Sequence, residues 1–226
     1  MKKFFITGTD TDVGKTLVSV ALLQLARESN LSTAAVKPVA AGCSQSADGL
    51  RNNDALALQS MITAALAYDE INPIALEPAI APHIAANHIA CKLSVKYLAD
   101  KCEQVFQKNH DFVLVEGAGG WRVPLNATET LADLAALLRI PVVLVVGLKL
   151  GCINHALLTL EAIKNDGLIV SGWVACQTDK NMAAAGENIE TLVQRLPCPF
   201  LGHIPFLNNP SAASASIFLD IKKLLV

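Results

Sequence analysis

The sequence predicts one doubly wound α/β domain over residues 1–226, a mainly parallel β-sheet with helices on both faces. Three observations predict it. Strand-like and helix-like segments alternate along the chain, as in repeated right-handed crossover units. Several strand-like segments, Phe112–Val115 and Pro141–Gly147 among them, are apolar at consecutive positions, which suits strands buried on both faces. The first apolar run, Phe4-Phe5-Ile6, passes through a polar turn into Gly14-Lys15-Thr16 and an amphipathic stretch, the order strand, phosphate-binding loop, helix.

The elements follow in turn. Leu17–Arg27 reads as the first helix and 33–39 as a second strand ending at Lys37-Pro38. Residues 40–53 are small and polar and read as a loop. Asp54–Ala67 has helical periodicity, whereas 72–82 holds three prolines and resists regular structure. Leu93–Gln107 reads as a helix with Val95, Leu98, Val105 and Phe106 on its apolar face. A strand, 111–115, then ends in Glu116-Gly117-Ala118-Gly119-Gly120. After it come a helix (130–138), a strand (141–147), a loop and helix (150–165), a strand (169–176) and a helix (186–196). A last strand (199–204) and a final helix (212–225) complete the pattern.

Composition narrows the function. Hydrophobic residues make up 52% of 226, enough for a sizeable core, and a net charge of −2 offers no basic face for nucleic acid or an anionic membrane. No apolar run approaches the roughly 20 residues needed to span a bilayer, and the chain starts on a strand, not on an export signal. Its six cysteines are scattered without a CxxC pair, so they read as free thiols of a cytoplasmic protein. The five histidines show no metal-ligand spacing.

The chemistry collects at the strand ends, where open α/β sheets bind ligands. Backbone N–H groups at a helix start carry the positive end of the helix dipole. Lys15 supplies a mobile positive charge for the β- and γ-phosphates of a nucleotide triphosphate, and the Thr16 hydroxyl suits Mg²⁺. The loop is a variant of the P-loop NTPase type: five residues separate Gly8 from Gly14, against four in the usual pattern. The second strand delivers Lys37, held extended by the following Pro38. For Lys37 a solvated strand-end lysine is the alternative to a site role. Glu116, at the end of an apolar strand, is either a Mg²⁺-associated carboxylate or one half of a salt bridge. Asp54 is either a second Mg²⁺ carboxylate or a helix N-cap.

Taken together, GTDTDVGKT, KPVAAG, LRNNDALAL, LVEGAGGW and VVGLKLGCINH closely resemble the dethiobiotin synthetase family, from Phe4 to about Leu207. The resemblance implies closure of the ureido ring of dethiobiotin from 7,8-diaminononanoate, CO₂ (or bicarbonate) and ATP. It implies Lys37, Lys15 and Thr11 as catalytic residues, with Thr16, Asp54 and Glu116 associated with Mg²⁺. It also implies nucleotide contacts from Asp12, Val13, Gly14, Lys15, Thr16, Leu17, Asp54, Glu116, Gly117, Ala118, Gly119 and Pro205. Substrate contacts are implied for Thr11, Lys37 and Ala41, with Gly151, Cys152 and Asn154 reaching the substrate carboxylate from the second subunit of a homodimer. Replacing Lys37 is expected to slow turnover while leaving the fold intact.

Two departures stand out. Ala41 replaces a serine or threonine common in the family, removing one hydroxyl contact, and Cys176-Gln177 replaces an asparagine that faces the adenine edge. No acidic residue for the ribose follows Pro205, where Asn208-Asn209 stand. The alternative reading is a ParA/MinD-like nucleotide-switch ATPase, but such loops usually carry a second lysine where this one has Asp10 and Asp12. A binding domain of the same fold is disfavoured by Lys37, Asp54, Glu116 and the LGCINH run. A fragment of an amidotransferase-type synthetase would need a glutaminase domain for which the chain has no room.

Overall fold

The structure is a computed structural model and describes residues 1–225. Its centre is a six-stranded sheet, every pairing parallel, built from β1 (Lys2–Gly8), β2 (Thr33–Val36), β7 (Phe112–Glu116), β8 (Val142–Gly147), β9 (Val170–Cys176) and β10 (Phe200–Ile204). The strand order is β10-β9-β8-β1-β7-β2. The chain leaves β1 for the edge strand β2, returns to β7 beside β1, and then continues on β1's other side with β8. This reversal beside β1 is the switch point at which open α/β sheets form their binding crevice.

Alternate residues of β1 feed two cores. Phe5 joins one face with Leu98 of α5 (Val95–Phe106), Leu134 of α6 (Leu131–Leu138), Ala156 of α7 (Cys152–Asn165) and Leu192 of α8 (Ala185–Arg195). Phe4 and Ile6 join the other with Val18 and Leu22 of α1 (Lys15–Glu28), Ala215 of α9 (Ala212–Ser216) and Leu224 of α10 (Lys222–Leu225). Each such large side chain contributes about 1.5–3 kcal/mol by leaving water. Because β1 and its neighbours are buried on both faces, their consecutive apolar residues are what the position requires. Among the described residues no helix is long and apolar enough to cross a membrane.

The remaining elements are small and lie between β2 and α5 in the chain. β3 (Val39–Ala40) pairs with β6 (Ile74–Ala75), and β4 (Ser44–Ser46) pairs with β5 (Gly49–Arg51) as a hairpin. α2 (Asn53–Met61), α3 (Tyr68–Ile71) and α4 (Pro82–His88) connect them. Four sequence expectations are corrected here. The loop at 40–53 contains the β4–β5 hairpin. The helix expected over 54–67 stops at Met61, because Thr63 N–H turns aside to Thr33 O and Thr33 Oγ1 at 3.2 and 2.9 Å. The proline-rich stretch holds β6 and leads into α4, where Pro82 takes the first turn and its missing N–H costs nothing. The final helix is broken between Ser216 and Lys222, because Leu219 bridges Gly202 and Asp220 N–H donates to Leu201 O at 2.8 Å.

Candidate active site

The phosphate-binding loop is seated by close backbone approach. Gly14, the residue before α1, has φ 91°, and a Cβ there would lie 2.4 Å from Cys176 Sγ. A Cβ on Gly147, at the end of β8, would lie 2.5 Å from Val13 Cγ1. Val13 is therefore a core side chain that plugs the loop onto the sheet, and only its backbone is available to a ligand. Asp12 has φ 55°, a conformation costing a non-glycine residue about 1–2 kcal/mol, so the surroundings hold the loop's shape. Lys15 folds back on this loop, its Nζ donating to Asp10 O at 2.8 Å. Burial and the charge of Lys37 push its pKa down to about 8. Asp10 also pairs through its carboxylate with Lys149 Nζ, which tethers the loop to the segment after β8.

Lys37, at the end of β2, is not a solvated lysine: it is 3% exposed. Its Nζ donates to Glu116 Oε1 at 2.7 Å, to Asp54 Oδ2 at 3.0 Å and to Gly117 O at 3.1 Å. Burial alone would depress its pKa, but the facing carboxylates of Glu116 and Asp54 hold the ammonium above its usual range. Asp54 does not cap α2; Asn52 does, its Oδ1 accepting from Asp54 N and Ala55 N at 3.0 and 3.3 Å. The Asp54 carboxylate is thereby free to face the cavity. Burial raises its pKa, but the Lys37 ammonium and the Thr16 hydroxyl outweigh this and leave it below the ordinary carboxylate range.

Glu116, 0% exposed, also accepts from Thr16 Oγ1 at 3.0 Å. Its second oxygen, Oε2, is buried with no hydrogen-bond partner. A buried carboxylate oxygen left unpaired is costly, and a hard cation at the site would satisfy it. The donors at hand, Thr16, Asp54 and Glu116, are all oxygens, the set Mg²⁺ takes. Among the described residues no group of three or more His, Cys, Asp or Glu gathers to hold a metal.

A cavity of about 920 Å³ opens over these groups. Of the residues singled out in the sequence, Thr11, Asp12, Gly14, Lys15, Thr16, Leu17, Lys37, Ala41, Asp54, Ala118 and Gly119 line it. Glu116 and Gly117 lie behind Lys37 and contact it. Gly151, Cys152, Asn154 and Pro205 are not among the lining residues. Gly151 and Asn154 are exposed at the start of α7. Cys152 is buried, its Sγ 3.6 Å from Asn188 Oδ1, so its side chain packs within this chain. Cys176 is likewise buried under Gly14, and the Gln177 amide donates to Asp179 O at 3.0 Å.

The structure adds wall residues that no motif announced: Ile80, Pro82, Arg122 and Thr178. Arg122 donates to Asp166 Oδ1 at 2.8 Å, and Trp121 Nε1 donates to Asp166 Oδ2 at 2.7 Å, so this wall is pinned to the end of α7. These residues are far apart in sequence, and only the crossover topology brings them together.

Residues 2–214 match the family model described as an AAA domain. The ATP-dependent dethiobiotin synthetases of Cellvibrio japonicus and of Pseudomonas aeruginosa strain PAO1 are 59% and 53% identical, each over 99% of this chain and 98% of its own length. That of Aeromonas salmonicida is 50% identical over the full length of both chains. Among solved structures, the MinC:MinD cell division protein complex of Aquifex aeolicus is similar at a TM-score of 0.58 and 15% identity, over 98% of this chain and 88% of that one. Cell division protein FtsY of Thermotoga maritima gives 0.55 and 14%, over 99% and 67%. At these identities the likeness concerns the fold alone. With half or more of its residues shared with these synthetases over nearly its whole length, the chain belongs to the dethiobiotin synthetase family of ATP-dependent ligases.

Proposed function

We propose that this chain closes the ureido ring of dethiobiotin from 7,8-diaminononanoate, CO₂ and ATP, releasing ADP and phosphate. One amine nitrogen of the substrate attacks CO₂ and loses a proton, giving a carbamate. A carbamate oxygen attacks the γ-phosphorus and ADP leaves, giving a carbamic–phosphoric anhydride. The second amine attacks the carbonyl carbon and loses a proton, phosphate leaves, and the ring is closed. The difficulty is bringing an anionic carbamate to an anionic triphosphate.

The observation that carries the reading is Lys37: a buried, fully charged ammonium at the rim of the phosphate-loop cavity, held by Glu116 and Asp54. A positive charge fixed in place before substrate arrives costs no reorganisation during reaction, which is how electrostatic stabilisers lower a barrier. Lys37 meets the carbamate and γ-phosphate, Lys15 turns from Asp10 O to the phosphates, and Thr11 lies beside the carbamate. Thr16, Asp54 and Glu116 hold Mg²⁺, which supplies charge neutralisation on the triphosphate when bound. The loop from Asp12 to Leu17 and the turn from Glu116 to Gly119 contact the nucleotide, with Pro205 beyond them. Ala41 lies toward the substrate.

Gly151, Cys152 and Asn154 hold the substrate's carboxylate tail at the start of α7 from a second copy in a homodimer. Their position outside the cavity of their own chain supports that assignment, and a helix start is a favourable place for a carboxylate. For Cys152 the contribution is the helix-start backbone, since its thiol is buried.

The test is ADP formation with and without diaminononanoate and bicarbonate. Turnover that requires both, with one ADP per dethiobiotin, is expected. Substrate-independent hydrolysis linked to dimerisation would instead support a nucleotide switch.

A further inference from the structure

Lys37, Ala41 and Asp54 reach the cavity from two stretches of chain, 37–41 and the start of α2, and a buried polar assembly joins all three residues. Asn72 Nδ2 donates to Lys37 O at 2.8 Å and to Ile74 O at 3.0 Å. Lys37 N–H donates to Ile71 O at 2.7 Å, so the turn at 71–72 grips both backbone polar groups of residue 37. The Tyr68 hydroxyl donates to Asn72 Oδ1 at 3.1 Å and accepts from Asn52 N–H at 2.7 Å. Asn52 then caps the start of α2 beside Asp54 and donates through Nδ2 to Ala41 O at 3.3 Å. Tyr68, Asn72 and Asn52 are all buried.

A polar network in a core is favourable only when its members are satisfied, and it then fixes one arrangement. Here three ends of the network, Lys37 O, Ala41 O and Asp54 N, belong to residues of the cavity wall, and of its three side chains only Asn52 lines that wall itself. β2 is an edge strand of the sheet, so no neighbouring strand fixes the outer side of Lys37. The 71–72 turn takes that place.

We infer that Tyr68, Asn72 and Asn52 are positioning residues that keep the Lys37 ammonium and the Asp54 carboxylate in register with each other. They act through the backbone of Lys37 and the start of α2. The inference rests on the catalytic reading of Lys37 given above. Tyr68→Phe deletes one oxygen while keeping the ring, over which the Arg51 guanidinium stacks at 4.1 Å.

The experiment measures kcat and KM for ATP in Tyr68→Phe, in Lys37→Gln, which keeps a donor toward Glu116, and in the double variant. Tyr68→Phe is expected to lower kcat about tenfold, the scale of a sub-ångström to ångström misplacement, with KM for ATP changed less than about twofold. In the Lys37→Gln background the same change is expected to alter turnover less than about twofold, because the group being positioned is gone. Melting midpoints establish that each variant is folded, and Asn72→Ser, which cuts the bond to Lys37 O, replaces Tyr68→Phe if the latter does not fold. A slowed Lys37→Gln enzyme beside an unimpaired Tyr68→Phe enzyme overturns this inference alone. So does a loss in kcat that multiplies undiminished in the double variant, which marks general loosening. Wild-type turnover in Lys37→Gln removes the catalytic reading of Lys37 and this inference together.

Discussion

Two lysines line the same cavity, and their surroundings give them opposite characters. Lys15 opens α1 and folds back on a carbonyl oxygen of the preceding loop, and burial with the repulsion of Lys37 pushes its pKa down to about 8. Lys37 sits between two carboxylates, which hold it charged in spite of complete burial. The loop lysine lacks a full counter-charge and gains one when a triphosphate arrives. The strand-end lysine has its counter-charges already and is pre-set. The phosphate side of the site is thus built to respond to ligand, and the strand-end side to stay fixed.

The largest expected effect comes from breaking the fixed side. Lys37→Ala is expected to cut turnover by at least about 10²-fold, the scale for losing one electrostatic stabiliser of a transition state. Steady-state kinetics check this; a loss under about threefold would remove Lys37 from the chemistry. A cost in stability is expected alongside the loss of turnover. Glu116 would remain buried with only the Thr16 hydroxyl as partner, and breaking a buried pair on one side costs on the order of 3–5 kcal/mol. Thermal melting should therefore fall in Lys37→Ala and fall less in Lys37→Gln.

Next is the shared hydroxyl. Thr16→Val keeps the side-chain volume and removes the donor to Glu116. Mg²⁺-dependent nucleotide affinity, read by calorimetry, should weaken about tenfold, and unchanged affinity would contradict the metal assignment.

The responsive side is exposed by pH. Lys15, with a pKa near 8 in the free protein, is drawn back to its charged form by a bound triphosphate. Binding therefore takes up a proton above pH 8. Affinity should be full below that pH and fall as pH rises past it, by no more than about tenfold per pH unit for one proton. Lys15→Arg, which does not titrate, should flatten the profile; an equally steep profile in Lys15→Arg would assign the effect elsewhere. The smallest change expected is in Ala41→Ser. A hydroxyl restored to the cavity wall should lower KM for diaminononanoate about threefold, one modest hydrogen bond.

The same contrast explains how much of the molecule could be read from its sequence. The phosphate loop is contiguous, so strand, glycine, lysine and threonine announce themselves in order, and the consecutive apolar residues of β7 and β8 announce burial on both faces. Lys37 and Glu116 were legible as strand-end residues, but their partnership was not, since 79 residues separate them and only the insertion of β7 between β1 and β2 joins them. Asn52 took the cap that Asp54 could equally have supplied, a choice made by the loop that precedes α2. The breaks at Met61 and Ser216 come from pairings with Thr33 and Gly202, long-range contacts that override local helix periodicity. Tyr68 and Asn72 carry no motif, and nothing but the fold places them against Lys37.

The most direct test of the central claim is a crystal structure with Mg²⁺, a non-hydrolysable ATP analogue and diaminononanoate. The account predicts the Lys37 ammonium between the carbamate position and the terminal phosphorus, with Glu116 and Thr16 turned toward the metal. A terminal phosphate bound with Lys37 and Glu116 directed away from it would contradict the account.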